Sequence, residues 1–131
     1  MLQHAMTVPE SFQARSFQFA LKILKFYKYL KRDTDVPVHL ANQVLRAGTS
    51  IGANLSEAKS AYSRRDLASK HTIALRESRE CRFWLRLIAA DQPSVSRFAK
   101  PLTDECTEFV AMLTASVKKL KRSPVDDSEE K

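Results

Sequence analysis

Few residues in this sequence could do bond-making chemistry, and their spacing argues against it. The three histidines are His4, His39 and His71. None stands in an HExxH pair or in the Glu-x-x-His spacing with which helical bundles hold metals, so no metal site is expected, and His71 reads as a satisfied core histidine. Gly48-Thr49-Ser50-Ile51-Gly52 brings two glycines close together, but a phosphate-cradling loop needs a strand before it and a Gly-Lys-Ser/Thr ending, and neither is present. Cys81 and Cys106 lack CxxC spacing and are too sparse for a disulfide framework, which leaves reduced core thiols. Glu57, Glu77 and Glu80 are candidate acids, yet carboxylates on basic helices form pairs such as Arg76 with Glu80 at i,i+4. No nucleophile, base and orienting group can be assembled. The expectation is a protein that is not an enzyme and carries no cofactor.

The remaining chemistry is positive charge. Arg76, Arg79, Arg82 and Arg86 recur along one segment, Arg64 and Arg65 precede them, and Lys118, Lys119, Lys121 and Arg122 form a second cluster. The guanidinium forks of the seven arginines match phosphate oxygens and the three lysines add point charges beside them, so these ten residues are the candidate nucleic-acid contacts. A solvated face is the alternative. The chain has 22 basic and 15 acidic residues, net +7. Residues 123–131 hold four of the acids, Asp126, Asp127, Glu129 and Glu130, and only Lys131 in return, so the remainder has 21 basic against 11 acidic residues, net +10. A field of that sign attracts nucleic acid, anionic surfaces or acidic proteins.

The elements that must present these charges are helices. With 131 residues, two glycines and five prolines, the chain has too little turn material for a many-stranded fold and suits one domain. Phe12, Ser16, Phe19, Ile23, Phe26 and Leu30 step by four and three residues, which keeps them on one helix face over about 11–32. Pro37 fits a first helical turn, and Leu40, Val44, Ala47, Ile51, Leu55 and Ala58 mark a second helix over 37–61. Ser63-Arg64-Arg65-Asp66 has the capping pattern of a helix start. A third helix follows over 64–91, with Leu67, His71, Ala74, Ser78, Cys81, Leu85 and Ile88 as its seam. An irregular or single-turn connector is expected between Pro93 and Pro101. Leu102, Cys106, Phe109, Leu113, Ser116 and Leu120 then mark a fourth helix over 102–122. Four helices with short links pack as an antiparallel up-and-down bundle. Residues 1–10 are expected to be flexible, and the acidic stretch 123–131 to be disordered.

Each glycine inside a helix costs about 1 kcal/mol relative to alanine, so Ala41, Gly48 and Gly52 are expected to form a strip that admits a neighbouring helix closely. Ser50, Asn54 and Ser56 beside it suggest a polar seam bonded across helices. Two helices carry more apolar width than one seam uses. Phe17, Leu21 and Leu24 flank the first seam, and Ile73, Phe83, Trp84 and Leu87 flank the third. Self-association through Phe17, Leu21, Leu24, Phe83, Trp84 and Leu87 is the expectation. No apolar run approaches the ~18 residues of a membrane span and the N-terminus does not read as a signal peptide, so a cytoplasmic protein with no membrane partner is expected.

SFQFALKILKFYKYL, the block RAGTSIGANLSEA and its continuation to LIAA, and EFVAMLTASVKKLK resemble the bacterial four-helix-bundle family named for the protein encoded in 23S rRNA intervening sequences. The resemblance spans about residues 11–122 and implies a homopentamer of antiparallel four-helix bundles. Relatives of the family include the accessory variability proteins of diversity-generating retroelements, to which the RFWLRL segment around Trp84 is also similar. Those proteins pair with a reverse transcriptase and bind nucleic acid through a basic surface. The resemblance thus implies an oligomer that binds nucleic acid, RNA first, or scaffolds a reverse transcriptase or another nucleic-acid enzyme. The alternative is a purely structural assembly protein.

Overall fold

A computed structural model describes residues 11–122; the expectations for 1–10 and 123–131 lie outside the described residues. Among the described residues there are four long helices and no strand: α1 (Phe12–Asp33), α2 (Val38–Ala58), α3 (Arg64–Asp91) and α4 (Ser96–Arg122), with a single 3-10 turn at Pro93–Val95. Hydroxyls start two of them. Ser11 Oγ accepts from Ala14 N at 3.1 Å and Ser63 Oγ from Asp66 N at 2.9 Å, each satisfying one of the donors a helix start leaves open.

The cross-helix contacts fix an up-and-down bundle. Tyr27 meets Asn42 while Gln13 reaches Leu55, so α1 and α2 run antiparallel. Arg46 reaches Glu77 while Lys70 reaches Glu57, which sets α2 against α3. His71 meets Ser116 and Arg82 meets Thr107, which sets α3 against α4. Arg15 pairs with Glu105 and Glu108 while Tyr29 packs on Phe98, closing α4 onto α1.

The core follows the four-and-three spacing. Phe19, Ile23 and Leu30 of α1, Val44, Ala47, Ile51 and Leu55 of α2, Cys81 and Leu85 of α3, and Phe109 and Leu113 of α4 are wholly buried. Phe19 meets Phe109 edge to face at 5.5 Å between centroids. Burial departs from the expected seams where the 3.6-residue turn drifts around the axis. On α3 Ala68 and Leu75 join the core while Leu67 is only half-buried, and on α2 Leu40 yields to Ala41.

Three expected boundaries are corrected. α4 begins at Ser96, not at 102, with Pro101 inside it. Val95, Ala99 and Leu102 extend the apolar repeat backwards, and Arg97 and Pro101 are both exposed, so water can reach the carbonyl that the proline leaves without a donor. α2 stops at Ala58, not 61: the amides of Lys59, Ser60 and Ala61 turn back to Ser56, Glu57 and Ala58 at 3.0–3.3 Å. Pro37 occupies the cap position before α2 and its carbonyl accepts from Leu40 and Ala41.

The glycines lie where α1 and α2 touch. A Cβ on Gly48 would stand 2.8 Å from Ile23 Cγ1, and one on Gly52 would stand 3.2 Å from the backbone oxygen of Ser16. Ala41 is buried on the same helix. The polar seam beside them bonds along α2 and not across it: Asn54 Nδ2 donates to Ser50 O at 2.9 Å, and Ser56 is exposed. An amide one turn away in sequence finds its own carbonyl before it can reach a neighbouring helix.

Gly52→Leu is expected to lower stability by about 1–3 kcal/mol through overpacking against the α1 backbone, read by urea denaturation. A parent-like midpoint would show that the two helices tolerate separation.

His71 is nearly buried, its Nδ1 2.7 Å from Ser116 Oγ and its ring against the edge of Phe12. Burial holds its pKa below the ordinary 6.5. The unfolded chain therefore takes up a proton at a pH where the folded chain does not, and stability falls as pH drops below about 6.5. Melting temperatures across that window should decline less in His71→Gln, which keeps a polar partner for Ser116 but cannot titrate. Parallel curves would remove His71 as the cause.

Candidate nucleic-acid interface

Arg65, Ser69, Thr72, Arg76, Arg79 and Phe83 recur at steps of three and four, which puts them on the outer stripe of α3. Arg65, Arg76, Arg79 and Arg86 are exposed and form no ion pair with any described residue. Arg82 is half-buried and its Nη1 donates to Thr107 Oγ1 on α4 at 3.3 Å. Lys118, Lys119, Lys121 and Arg122 are exposed at the end of α4.

Antiparallel packing brings two of these groups together. The first turns of α3 lie beside the last turns of α4, and between them runs a groove of about 660 Å³ lined by Arg64, Arg65, Arg76 and Lys121, with Ser69 and Thr72 on its wall. Among the described residues no carboxylate lines it. Arg64 is tied down by its own bundle: Nε donates to Leu120 O at 3.2 Å and Nη2 to Lys119 O at 3.3 Å, capping carbonyls that α4 leaves open. Charge alone does not single out Ser69 and Thr72, although their spacing from Arg65 and Arg76 places them on the same stripe. The Thr72 hydroxyl proton already goes to Ala68 O at 2.8 Å.

The acids are engaged elsewhere. The expected Arg76–Glu80 pair is replaced by a cluster with α2, in which Arg46 binds Glu77 at 3.2 Å and also Glu80. Trp84 Nε1 donates to Glu80 at 3.1 Å. That bond first, and the Arg46 guanidinium after it, hold the Glu80 carboxyl below its usual range against the effect of burial. Arg76 contributes only its field. It is thereby left facing solvent.

The apolar candidates occupy two places. Phe17, Leu21 and Leu24 are exposed on α1, Phe17 by 63%. Phe83, 55% exposed, and Leu87 line a groove of about 600 Å³ with Arg86 and Lys100, where α3 ends and α4 begins. Trp84 is half-buried against the core, its Nε1 on Glu80 and its ring in edge-to-face contact with Phe83. Since α1 and α3 are diagonal in the bundle, the two apolar surfaces face away from each other.

The interior offers little for catalysis. Among the described residues no buried side-chain nitrogen or oxygen lacks a partner, and no cluster of His, Cys, Asp and Glu could hold a metal. Cys81 and Cys106 are free and buried; the hydrogen bond between their thiols, together with burial, pushes the Cys81 thiol well above its ordinary range. No helix is long and apolar enough to cross a membrane among these residues.

The sequence profile of the 23S rRNA-intervening sequence proteins matches residues 11–115, most of this bundle. The chain belongs to that family. Among solved structures, this member of the 23S rRNA-intervening sequence proteins is similar to a protein of unknown function from the S23 ribosomal protein family of Bacteroides thetaiotaomicron VPI-5482. The two are 34% identical with a TM-score of 0.76, over 82% of this chain and 99% of the other. No curated protein matches the chain at a significant level. Neither the family's description nor the neighbour's names an enzymatic activity.

The capping bonds of Arg64 separate a structural arginine from its neighbours. Arg64→Ala is expected to lower stability by about 1 kcal/mol, while Arg65→Ala and Arg76→Ala stay within about 0.5 kcal/mol of the parent. Equal losses at all three positions, read by thermal denaturation, would contradict this division.

Proposed function

We propose that this family member is a non-enzymatic, self-associating basic bundle that binds nucleic acid, RNA in the first instance, through the α3–α4 face. The observation that carries the reading is the groove where Arg64, Arg65, Arg76 and Lys121 converge with, among the described residues, no carboxylate in its lining. Like charges gathered on one face raise the local potential and favour a ligand that brings several negative charges at once. Arg79 and Arg86 extend the positive stripe along α3. RNA is preferred over DNA because the family takes its description from intervening sequences of an rRNA.

Self-association supports the same function. The α1 stripe of Phe17, Leu21 and Leu24 and the α3 surface of Phe83 and Leu87 are different patches on opposed helices. Contact between unlike patches is head to tail, and such contacts close into rings when the rotation permits. A ring repeats the basic groove, so weak contacts to one long polyanion add up.

The test is titration of labelled single-stranded and duplex RNA at two salt concentrations, with light scattering on the same samples. Wild type should be larger than a monomer, and its affinity should fall steeply with salt as condensed counterions are released. Arg65→Glu with Arg76→Glu should weaken binding several-fold and lower the salt slope by about one for each phosphate that is no longer neutralised. No binding by wild type at low salt would leave a purely structural assembly protein. Unchanged affinity and slope in the double variant would move the binding surface away from the groove.

A further inference from the structure

We propose that the acidic segment 123–131 of this same chain docks into the basic groove between α3 and α4 and competes there with the phosphates of a nucleic acid. The inference rests on the reading of that groove as a phosphate site and adds its regulation.

Three observations carry it. The first is position. Leu120 and Lys121 line the groove, Arg64 grips the carbonyls of Lys119 and Leu120, and the last described residue, Arg122, follows Lys121 directly, so the acidic segment is tethered within one or two residues of the groove's lining. The second is reach. At most about 3.3–3.6 Å per residue, the four steps from Arg122 to Asp126 extend to about 14 Å and the eight steps to Glu130 to about 28 Å. Arg65 and Arg76 are eleven positions apart on a helix rising about 1.5 Å per residue, roughly 16 Å, so the segment spans the groove with length to spare.

The third observation is charge. Asp126, Asp127, Glu129 and Glu130 fall within five residues, opposed only by Lys131. Most acids of the bundle already have partners: Glu105 and Glu108 with Arg15, Glu77 and Glu80 with Arg46, Glu57 with Lys70, Asp104 with Lys100. None lines the groove. Arg65, Arg76 and Lys121 there and the carboxylates that follow α4 in the sequence are complementary sets. Guanidinium binds carboxylate with the same forked geometry as phosphate, so the two ligands exclude each other. Tethering gives the carboxylates a local concentration in the millimolar range. That is enough to occupy a site of individually weak contacts, and a polyanion with many phosphates can still displace them.

The experiment compares the full chain with its variant Asp126→Asn, Asp127→Asn, Glu129→Gln, Glu130→Gln, which leaves the bundle untouched. Amide and guanidinium Nε–H resonances of isotope-labelled protein are recorded at low and high salt, alongside RNA titrations. Neutralisation should shift the signals of Arg65, Ser69, Thr72 and Arg76 at low salt and not at high salt. It should also raise RNA affinity several-fold at low salt, the gain vanishing as salt rises. Unshifted groove signals overturn the proposal whatever the RNA result. Shifted signals with equal RNA affinity in both chains overturn the competition. Shifted signals with no RNA binding by either chain uphold the docking and overturn the nucleic-acid reading on which the competition rests.

Discussion

The distance between α1 and α2 is set by the absence of two side chains. At Gly48 the methyl groups of Ile23 fill the space a Cβ would take, and at Gly52 the backbone of Ser16 does. Helices that meet this closely let Ile23 and Phe19 lie deep in the bundle, where Phe19 reaches Phe109 on α4. The fourth helix therefore closes onto the first, and the positions of α3 and α4 follow from that closure. Two alanines in place of the glycines would gain helix propensity of about 1 kcal/mol each, but the crowding at Ile23 opposes that gain.

Closure also sorts the charges. Arg15 and Lys22 of α1 face Glu105 and Glu108 of α4, and Arg46 of α2 faces Glu77 and Glu80 of α3. Surface pairs of this kind contribute little stability, at most about 1 kcal/mol each. Their larger effect is on what they leave behind. Acids are taken up at the α1–α4 and α2–α3 edges, so among the described residues the groove at the α3–α4 edge is lined by arginines and a lysine and by no carboxylate. Its positive potential follows from where the carboxylates are used.

The sequence by itself determined the helices, the bundle and most of the core. Steps of three and four between apolar residues depend only on the pitch of the helix, so Phe19, Ile23, Val44, Ile51, Cys81, Leu85, Phe109 and Leu113 were legible as core from their spacing. The family was legible too, in the block around Gly48 and Gly52. The start of α4 was obscured because a proline inside a helix and a proline ending one look alike in sequence; exposure of the missing hydrogen bond to water decides between them.

Only the tertiary structure decided which of the basic residues stand together. Arg65 and Lys121 are 56 positions apart in the chain, and nothing in their local pattern joins them until α3 and α4 pack antiparallel. The same packing assigned Arg64 to the carbonyls of α4 and gave Glu80 to Arg46 instead of Arg76. Periodicity tells which face of a helix a residue occupies. Which partner stands opposite that face is set by the registry of a neighbouring helix, which local spacing does not encode.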